Sequence, residues 1–466
     1  MSISLQTLFY SIGHFTMDKQ LQLDTENKEF FQALDIVENT SKSIFLTGKA
    51  GTGKTTFLRH LCERNKKKMV VLAPTGVAAI NAGGQTIHSF FQIPPSVYFP
   101  GDPRLSSQML NGSTDNIYET FRYNRQKKQI LKELEVLVID EVSMVRADLL
   151  DVIDAILREY KDCPLPFGGV QVVLIGDVYQ LPPVVTHEEA PVLFRFYKSE
   201  FFFSAKVIKS MNLEYVELQK IYRQSDREFI DLLNRVREGK LLREDFALFR
   251  NMYLNQSWTE NGPSYITLTT TNAAAGSIND ENLEALDGDE QEFEADITGD
   301  MTEKDYPTDL VLTLKEDAQV MFLKNDPDHR YYNGKIGRVI GFQEDRIVIE
   351  IEEEDGGTQE IYLERAVWEK VQYKWNDAKR CIESEVIGSF TQYPLRLAWA
   401  ITVHKSQGLT FDRVVADLGN SFAAGQVYVA LSRCTSLKGL VLASMITPSD
   451  IRTAHRVDAF IRWIQR

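Results

Sequence analysis

The stretch SIFLTGKAGTGKTTFL, from Ser43 to Leu58, limits what this 466-residue chain can fold into more than any other. Ser43 to Thr47 are mostly apolar and predict a short buried strand, and Thr56 to Cys62 predict a helix. Between them lies a complete G-x-x-x-x-G-K-[ST] sequence, Gly48 to Thr55. Its glycines let backbone N–H groups turn towards phosphate oxygens, and the helix adds the positive end of its dipole. The stretch predicts a nucleotide-binding α/β domain.

Each residue of this loop has an expected role in holding a nucleotide, which we expect to be ATP. Lys54 should reach the β- and γ-phosphates, and Thr55 should offer its hydroxyl to Mg²⁺. The alternative is a chance glycine-rich turn, which the order of strand, loop and helix disfavours. The predicted ATP-binding residues of the loop are Gly48, Ala50, Gly51, Thr52, Gly53, Lys54, Thr55 and Thr56.

Two further strand ends complete the predicted nucleotide site. The apolar run Val136 to Ile139 predicts a buried parallel strand, and Asp140-Glu141 follows it at the edge where α/β proteins place their chemistry. Asp140 should hold Mg²⁺ through its water shell, and Glu141 should orient and deprotonate the attacking water. A third buried strand ends in Gly176-Asp177, which with Gln180 forms a Gly-Asp-x-x-Gln motif, and Gln180 is a candidate contact of the γ-phosphate. A lone glutamine in a loop is more often simply solvated, and that alternative stays open here. The alternative, that Asp140 and Glu141 are simply surface acids after a strand, is disfavoured because the chain also contains a complete phosphate loop.

The formal net charge of −14 does not exclude a nucleic-acid partner. Glu281 to Asp305 contains eleven acidic residues and one lysine, so this segment alone contributes −10. The remainder is close to balance and can present a basic groove, because local potential decides binding.

Length, cysteines and hydropathy bound the class of protein. A chain of 466 residues is too long for one core, so we expect two to four domains. Its four cysteines are scattered singly, which favours a reducing compartment. No apolar run approaches the roughly 20 residues of a membrane span, and the N-terminus lacks the features of a signal peptide. We therefore expect a cytoplasmic protein with no membrane association.

The strand and helix pattern predicts two α/β units with an insertion in the second. Alternating strands and helices predict doubly wound parallel sheets. From Pro307 to Gly388 hydrophobicity alternates with period two, and Asn333-Gly334 predicts a hairpin turn. This segment predicts a small antiparallel β-barrel, after which Leu397 to Val403 predicts a return to helix. The predicted boundaries are 1–210 for the first domain, 211–306 with 389–466 for the second, and 307–388 for the barrel.

Two arginines of the second unit are candidates for the same chemistry. Arg223 lies in LQKIYRQSD and Arg433 in VYVALSRCTS. A phosphoryl-transfer site, whose charge is spread over oxygens, gains from an arginine supplied across a domain cleft. We expect Arg223 to reach the γ-phosphate only when the domains close. Isolated arginines are more often structural or surface residues, and that alternative stays open.

Three polar segments suit phosphates or bases. The segment from Thr402 to Gly408, TVHKSQG, concentrates hydroxyl, cation and amide groups. These groups fit phosphates of ATP or of a nucleic-acid backbone. After Thr86, His88 and Ser89 precede Phe90 and Phe91, for which two interpretations stay open: core residues, or aromatic rings that stack on a base. Tyr118 to Leu134 predicts a basic helix. A polar helix end and a solvated helix face remain alternatives for the first and third segments.

The motifs occur in the order seen in superfamily-one helicases. They are GKAGTGKTT, APTGVAA, GGQTIHSFF, VLVIDEVSM, PFGGVQVVLIGDVYQLPPV, LQKIYRQ, TVHKSQGLTFDRV and GQVYVALSRCTS. The segment from Asp148 to Gln171 also resembles the signature segment of one group among these enzymes. From about Leu23 to Thr447, the chain resembles the petite-integration-frequency helicase family, relatives of the RecD and Dda enzymes.

This resemblance implies a fold and an activity. The fold is α/β, with two RecA-like doubly wound parallel-sheet domains, ATP between them and single-stranded DNA crossing both. The inserted barrel resembles the family's Src-homology-like barrel, and residues 93–120 resemble its small wedge subdomain. The implied activity is 5′ to 3′ translocation with unwinding of duplex DNA, forks and G-quadruplexes being common substrates. Roles in DNA replication, DNA repair and telomere maintenance are implied with it.

The same matching assigns site residues. Catalytic roles fall to Lys54, Asp140, Glu141, Gln180, Arg223 and Arg433, with Thr55 and Asp140 on the metal. Gln407 and Gly408 join the ATP contacts, as does Asn27, which stands near the place of the family's adenine-reading glutamine. DNA contacts fall to Pro74, Thr75, Gly76, Thr86, His88, Ser89, Phe90, Thr402, His404 and Lys405.

The chain lacks the long N-terminal extension of nuclear and mitochondrial members, so we expect a bacterial or phage-like core enzyme that is monomeric when free of DNA. Two other functions stay open: a nucleotide-gated clamp that binds single strands without unwinding, and a motor that tracks along RNA. The complete set of catalytic residues favours a DNA helicase over the clamp.

Overall fold

The computed structural model describes residue 24 and residues 26–105, 121–224, 226–254, 265–328, 330–353, 357–419 and 421–466. Most of the predicted wedge, 93–120, and the start of the predicted basic helix at Tyr118 lie outside these residues. Among the described residues, no helix has the length and apolar character needed to cross a membrane.

A six-stranded parallel sheet forms the centre of the first domain, with strand order β3-β2-β4-β5-β1-β6. Its strands are β1 (Ser43–Gly48), β2 (Met69–Ala73), β3 (Gln85–Thr86), β4 (Val136–Ile139), β5 (Gln171–Ile175) and β6 (Leu213–Leu218). The helices around it are α1 (Lys28–Asn39), α2 (Lys54–Arg64), α3 (Gly76–Asn81), α4 (Ile87–Phe91), α5 (Arg125–Glu133), α6 (Ala147–Lys161), α7 (Ala190–Phe196) and α8 (Lys206–Ser210).

Both faces of this sheet are buried, which explains the unbroken apolar runs of its central strands. Along β4, Leu137 and Ile139 face one apolar core, while Val136 and Val138 face another on the opposite side. Neighbouring strands divide their side chains in the same way. The predicted doubly wound parallel sheet is confirmed, since such continuous runs belong to strands covered on both faces.

The second domain begins with two helices, α9 (Arg227–Glu238) and α10 (Arg243–Leu254), followed by β7 (Ile266–Thr269) and α11 (Asn272–Ala285). The predicted boundary at residue 211 is wrong by one strand. Leu213 to Leu218 form β6, which pairs in parallel with β1 and so belongs to the first sheet. A strand's own sequence does not reveal which sheet it joins, because that pairing is long-range.

The inserted region is antiparallel and runs from β8 to β17. Its strands are β8 (Gln291–Glu294), β9 (Asp296–Gly299), β10 (Val311–Leu314), β11 (Gln319–Phe322), β12 (Ile336–Gln343), β13 (Arg346–Glu352), β14 (Thr358–Leu363), β15 (Ala366–Asn376), β16 (Cys381–Gln392) and β17 (Leu395–Leu397). They form sheets of order β14-β13-β12-β11-β17, β15-β16-β9 and β10-β8. Pairing therefore starts before residue 307 and extends past 388. Among the described strands hydrogen bonds do not close a ring, so the predicted barrel is not confirmed.

The long hairpin β15–β16 reaches from the insertion to the first domain. The Tyr373 hydroxyl accepts a hydrogen bond from the Val71 N–H at 3.1 Å, and Gln85 Nε2 donates to the Val371 carbonyl at 2.8 Å. Trp375 is buried in a core cluster of the first domain. The hairpin covers the side of β2 that the two-residue strand β3 leaves open.

After the insertion the chain completes the second domain with β18 (Ala400–Thr402), β19 (Val414–Ala416), α12 (Gln426–Leu431) and β20 (Leu440–Leu442). The sheet is parallel, in the order β18-β7-β19-β20. The helix predicted over Leu397 to Val403 is wrong: this run supplies the end of β17 and all of β18. Short apolar runs fit either structure, and here the free edge of β7 selects the strand.

The last helix, α13 (His455–Ile464), returns to the first domain. The Phe460 ring lies 5.7 Å from that of Phe45, 5.6 Å from Phe202 and 4.5 Å from Phe203, measured between centroids. The predicted second domain, drawn through residue 466, is therefore too long, because its final helix packs on the first. The chain thus ties the two domains together a second time.

Candidate active site

The phosphate loop connects β1 to α2 and surrounds the ammonium of Lys54. Lys54 Nζ donates to the carbonyls of Gly48 at 2.6 Å and Lys49 at 3.0 Å. Gly51 and Gly53 have φ of +79° and +91°, a left-handed conformation that side chains disfavour. Burial lowers the pKa of Lys54. Lys54 is half-buried, and its ammonium, held here by two backbone carbonyls, is well placed to bind an anionic phosphate.

The other predicted loop residues frame the same site. Ala50 and Thr52 are buried, and Thr52 Oγ1 donates to the Lys49 carbonyl at 2.9 Å. Thr55 is exposed in the first turn of α2, where its hydroxyl is open to a ligand, and Thr56 beside it is half-buried.

The acidic pair follows β4, as predicted. Glu141 adopts φ +49° and ψ +44°, a strained conformation for a residue with a side chain. Burial raises its pKa, and burial together with the neighbouring Glu141 raises the pKa of Asp140 to about 7. Carboxylates that are difficult to ionise alone gain from a nearby divalent cation, so Asp140 fits the expected metal contact.

Gln407 of the second domain bridges two predicted catalytic residues of the first. Its Nε2 donates to Glu141 Oε2 at 2.8 Å and to Gln180 Oε1 at 3.4 Å. Its buried Oε1 has no hydrogen-bond partner within the described part of the chain. An unpaired buried acceptor beside a carboxylate suits a donor such as a water molecule. Gly408 follows it with φ +84° and is exposed.

Arg223 lies directly against the phosphate loop. The N–H of Tyr222 donates to the Gly51 carbonyl at 2.8 Å, and a Cβ on Gly51 would overlap the Cβ of Arg223. The guanidinium donates to the Ser432 carbonyl of the second domain at 3.3 Å. In this arrangement of the domains the backbone of Arg223 already lies against the loop, and the expectation that its guanidinium reaches the γ-phosphate only when the domains close stays a prediction.

Arg433 is 2% exposed and held by carbonyls of its own domain. Its guanidinium donates to the carbonyls of Val429 at 3.0 Å and Leu409 at 3.2 Å. Burial lowers the pKa of Arg433, and burial with the nearby Arg433 lowers that of Arg223. Two half-buried cations, Lys54 and Arg223, and the buried cation Arg433 therefore surround this cleft, which fits a triphosphate.

Three residues that were assigned no role from the sequence join the two domains here. Tyr428 of α12 contacts the phosphate loop, and Arg237 of α9 pairs with Asp177, which follows β5. Asp177 belongs to the Gly-Asp-x-x-Gln motif, so its position signalled a role. Tyr428 lies within the GQVYVALSRCTS motif, but its contact with Asp177 and that of Arg237 do not follow from local sequence, since they span 251 and 60 positions.

The side chain of Asn27 caps the N-terminus of α1. Its side-chain oxygen accepts the N–H of Phe30 at 3.0 Å, and its amide donates to the Tyr222 hydroxyl at 3.1 Å. The Tyr222 side chain is 50% exposed and lies beside Gly53 of the phosphate loop. Asn27 thus caps a helix and orients Tyr222, which is the exposed aromatic surface next to the loop.

The first group of predicted DNA-contacting residues lies after β2 and around β3. Thr75 and Thr86 cap α3 and α4 through their hydroxyls. Thr75, His88 and Ser89 are exposed, whereas Pro74, Gly76 and Thr86 are half-buried. Partial desolvation of its ring and the nearby Arg146 lower the pKa of His88, which favours the neutral imidazole.

Phe90 does not fit the expected contact with DNA. It is fully buried, with the ring of Phe91 at 4.8 Å and that of Tyr373 at 5.9 Å. Lys127, the buried lysine of the basic helix α5, lies with Nζ 3.3 Å from the Phe90 ring centroid. Both faces of the ring are covered by protein, so Phe90 is a core residue. The other basic side chains of α5, Arg125, Lys128 and Lys132, are exposed.

The second group of predicted DNA-contacting residues follows β18. Thr402 is 4% exposed, and its Oγ1 accepts the N–H of Lys405 at 3.3 Å. His404 is half-buried, which lowers its pKa, and Lys405 is exposed. Thr402 therefore shapes the loop, while His404 and Lys405 are the members that can reach a ligand. They lie at the carboxyl edge of their sheet, as Thr75 does in the first domain.

The chain is similar to known proteins in both sequence and three-dimensional structure. Residues 22–246 match the family model described as PIF1-like helicase. The ATP-dependent DNA helicase Pif1 of Bdellovibrio bacteriovorus is 33% identical over 416 residues, covering 88% of this chain and 86% of that protein. The crystal structure of Bacteroides sp Pif1 with ADP-AlF4 is similar at 39% identity with a TM-score of 0.83, covering 94% of this chain and 96% of that one.

The complex of Bacteroides Pif1 with single-stranded DNA gives a lower TM-score, 0.64, at the same 39% identity and with the same coverages of 94% and 96%. Since identity and coverage are equal, the difference lies in how the parts are arranged. The unliganded Bacteroides sp Pif1 gives the same TM-score as the ADP-AlF4 form, 0.83, so the present chain is closer in shape to these two structures than to the complex with single-stranded DNA.

Proposed function

Because the chain belongs to the PIF1-like helicase family, it is an ATP-hydrolysing helicase, and we propose that it translocates 5′ to 3′ along single-stranded DNA. We propose further that it unwinds duplexes, forked DNA and G-quadruplexes. Its two parallel sheets are the RecA-like domains of this family. The observation that carries the proposal is the cleft between them, where the phosphate loop and acidic pair meet Gln407 and Arg433.

Different residues of the cleft bind the phosphates, hold the metal ion and activate the attacking water. Lys54 and the loop N–H groups bind the phosphates of ATP, and Thr55 with Asp140 would hold Mg²⁺, which when bound neutralises charge on the β- and γ-phosphates. Glu141, oriented by Gln407, positions the attacking water and accepts its proton. The raised pKa of Glu141 supports this role, because a stronger base takes the proton more readily.

The arginines and Gln180 stabilise the charge that develops on the γ-phosphate. Arg223 lies against the phosphate loop from the segment after β6, and Arg433 belongs to the second domain. A planar guanidinium provides several donors to the equatorial oxygens. Gln180 and Glu141 both accept hydrogen bonds from Gln407 of the second domain. A change at the γ-phosphate that moves Gln180 would therefore also move Gln407.

Translocation requires that both domains hold the strand and that nucleotide state changes their spacing. Thr75, His88 and Ser89 would contact DNA in the first domain, and His404 and Lys405 in the second. Thr402 supports its loop. Gln407 lies directly after the DNA-contacting segment of the second domain and also touches Glu141, so closure on ATP would move that segment.

The test is ATP hydrolysis with and without single-stranded DNA in the wild type and in Glu141→Gln. The variant keeps size and hydrogen bonding but loses the base, so turnover should fall by about 10²- to 10⁴-fold while ATP and DNA still bind. The matched control is Glu133→Gln, an acid on α5 outside the cleft, which should keep wild-type turnover. Near wild-type turnover in Glu141→Gln would show that Glu141 is not the base.

A further inference from the structure

A continuous set of buried contacts joins the phosphate loop to the second domain through Tyr428. The Ala50 N–H donates to the Tyr428 hydroxyl at 3.0 Å, and that hydroxyl donates to Asp177 Oδ2 at 3.3 Å. Arg237 donates to both oxygens of Asp177, at 2.9 Å and 3.3 Å. The loop and Asp177 belong to the first domain, whereas Tyr428 and Arg237 belong to the second. The contacts from Ala50 to Tyr428, from Tyr428 to Asp177 and from Asp177 to Arg237 therefore cross between the domains three times.

Every side chain in this set is buried, so each contact is made in a poorly screened environment. Asp177 is fully buried, Tyr428 is 3% exposed and Arg237 is 6% exposed. Burial alone would raise the pKa of Asp177, but Arg237 and Lys54 lower it, so the carboxylate stays ionised. Burial and Asp177 raise the pKa of Tyr428, so its hydroxyl stays protonated and keeps donating. Removing one member leaves a buried polar group without its partner.

Arg433 follows two residues after the end of α12, the helix that carries Tyr428. The first turn of α12 is fixed as well, because a Cβ on Gly425 would overlap the carbonyls of Tyr179 and Gln180 in the first domain. The guanidinium of Arg433 is held by the Val429 carbonyl of this helix. The placement of the Tyr428 hydroxyl on the loop therefore sets where Arg433 lies relative to the phosphates.

Resting on the proposed function, we propose that Tyr428 is a positioning residue for ATP hydrolysis. The hydrogen bond between its hydroxyl and the Ala50 N–H fixes the position of α12 relative to the phosphate loop. Asp177, which is held by Arg237, accepts from that hydroxyl and so fixes its orientation. Tyr428 does not need to touch ATP; it acts through Ala50 and Arg433. Arg237 serves the same end from α9, which makes the buried ion pair part of the catalytic geometry.

The test compares Tyr428→Phe with Tyr197→Phe. Tyr197 is also buried and donates to a carboxylate, Asp151, at 2.9 Å, but lies on the first domain outside the cleft. Each substitution removes one hydroxyl and leaves the ring. Tyr428→Phe should lower kcat of DNA-stimulated ATP hydrolysis by about 10- to 100-fold, the cost of small displacements at a reacting centre. KM for ATP should change by less than about threefold, and Tyr197→Phe should keep kcat within about twofold.

A second readout separates positioning from binding. In Tyr428→Phe the affinity for ADP should be unchanged, while the affinity for ADP with aluminium fluoride should fall by the same factor as kcat. Equal affinities for both ligands, or a kcat within about twofold of wild type, would overturn the proposal.

Arg237→Lys provides an independent check if Tyr428→Phe lowers the melting temperature more than the control does. It keeps the charge but loses the two-pronged hold on Asp177, so kcat should fall in the same direction. The double variant should be no worse than the poorer single variant, because both act through one contact. Multiplicative losses would overturn the proposal. Absence of strand separation by the wild type would contradict the proposed function, whereas unchanged kcat in these variants contradicts only this inference.

Discussion

Replacing Arg223 should separate catalysis from stability. Burial and the nearby Arg433 lower the pKa of Arg223 from its ordinary 12.5 to about 9. A shift of that size corresponds to about 5 kcal/mol against the charged form at neutral pH. Loss of the hydrogen bond to Ser432 and of packing offsets part of this in a variant, so we expect Arg223→Met to gain about 1 to 2 kcal/mol of stability without ligand.

The assay pairs thermal unfolding with hydrolysis. A gain of this size predicts a melting temperature higher by about 2 to 4 °C per kcal/mol, while DNA-stimulated turnover falls by about 10³-fold or more. Arg223→Lys should not restore turnover, because a point charge cannot replace the planar guanidinium. Arg250→Met, on the exposed face of α10, is the matched control and should change neither quantity. A lower melting temperature with retained turnover would refute the reasoning, since Arg223 would then be a structural residue.

Three further predictions concern packing at the cleft and between the domains. Gly51→Ala should abolish hydrolysis while the fold is kept, because its Cβ would overlap Arg223 and strain a left-handed residue; turnover near wild type would contradict this. Asp177→Asn and Arg237→Met should each destabilise the chain by about 3 to 5 kcal/mol in denaturant unfolding, and the double variant by less than either; additive losses would contradict a buried pair. Phe460→Ala should cost about 3 to 5 kcal/mol and make α13 the first segment cleaved in limited proteolysis, an expectation that unchanged cleavage would refute.

The sequence was informative wherever function depends on a local pattern. The phosphate loop, the acidic pair after β4 and the Gly-Asp-x-x-Gln motif after β5 were all placed correctly at strand ends. Such sites need particular residue types at fixed spacing beside a strand or helix, so the local sequence is sufficient to find them. Their expected roles in catalysis remain predictions.

Long-range packing decided the features that the sequence analysis got wrong. Phe90 follows a polar segment and looked available to a base, but Tyr373 of the insertion and Lys127 of α5 cover its ring. The strand β6 joined the first sheet because β1 offered a free edge to it. Likewise, Tyr428 acquires its place only when α12 meets a loop 378 positions away. None of these pairings is encoded by residue spacing along the chain.

The central claim, directional unwinding driven by ATP hydrolysis, is tested most directly by strand separation on duplexes with either a 5′ or a 3′ single-stranded tail. The wild type should separate the 5′-tailed duplex with ATP, fail to do so with a non-hydrolysable analogue, and leave the 3′-tailed duplex intact. Glu141→Gln should bind both duplexes and separate neither. Separation of the 3′-tailed duplex alone, or of either duplex with the non-hydrolysable analogue, would contradict the account.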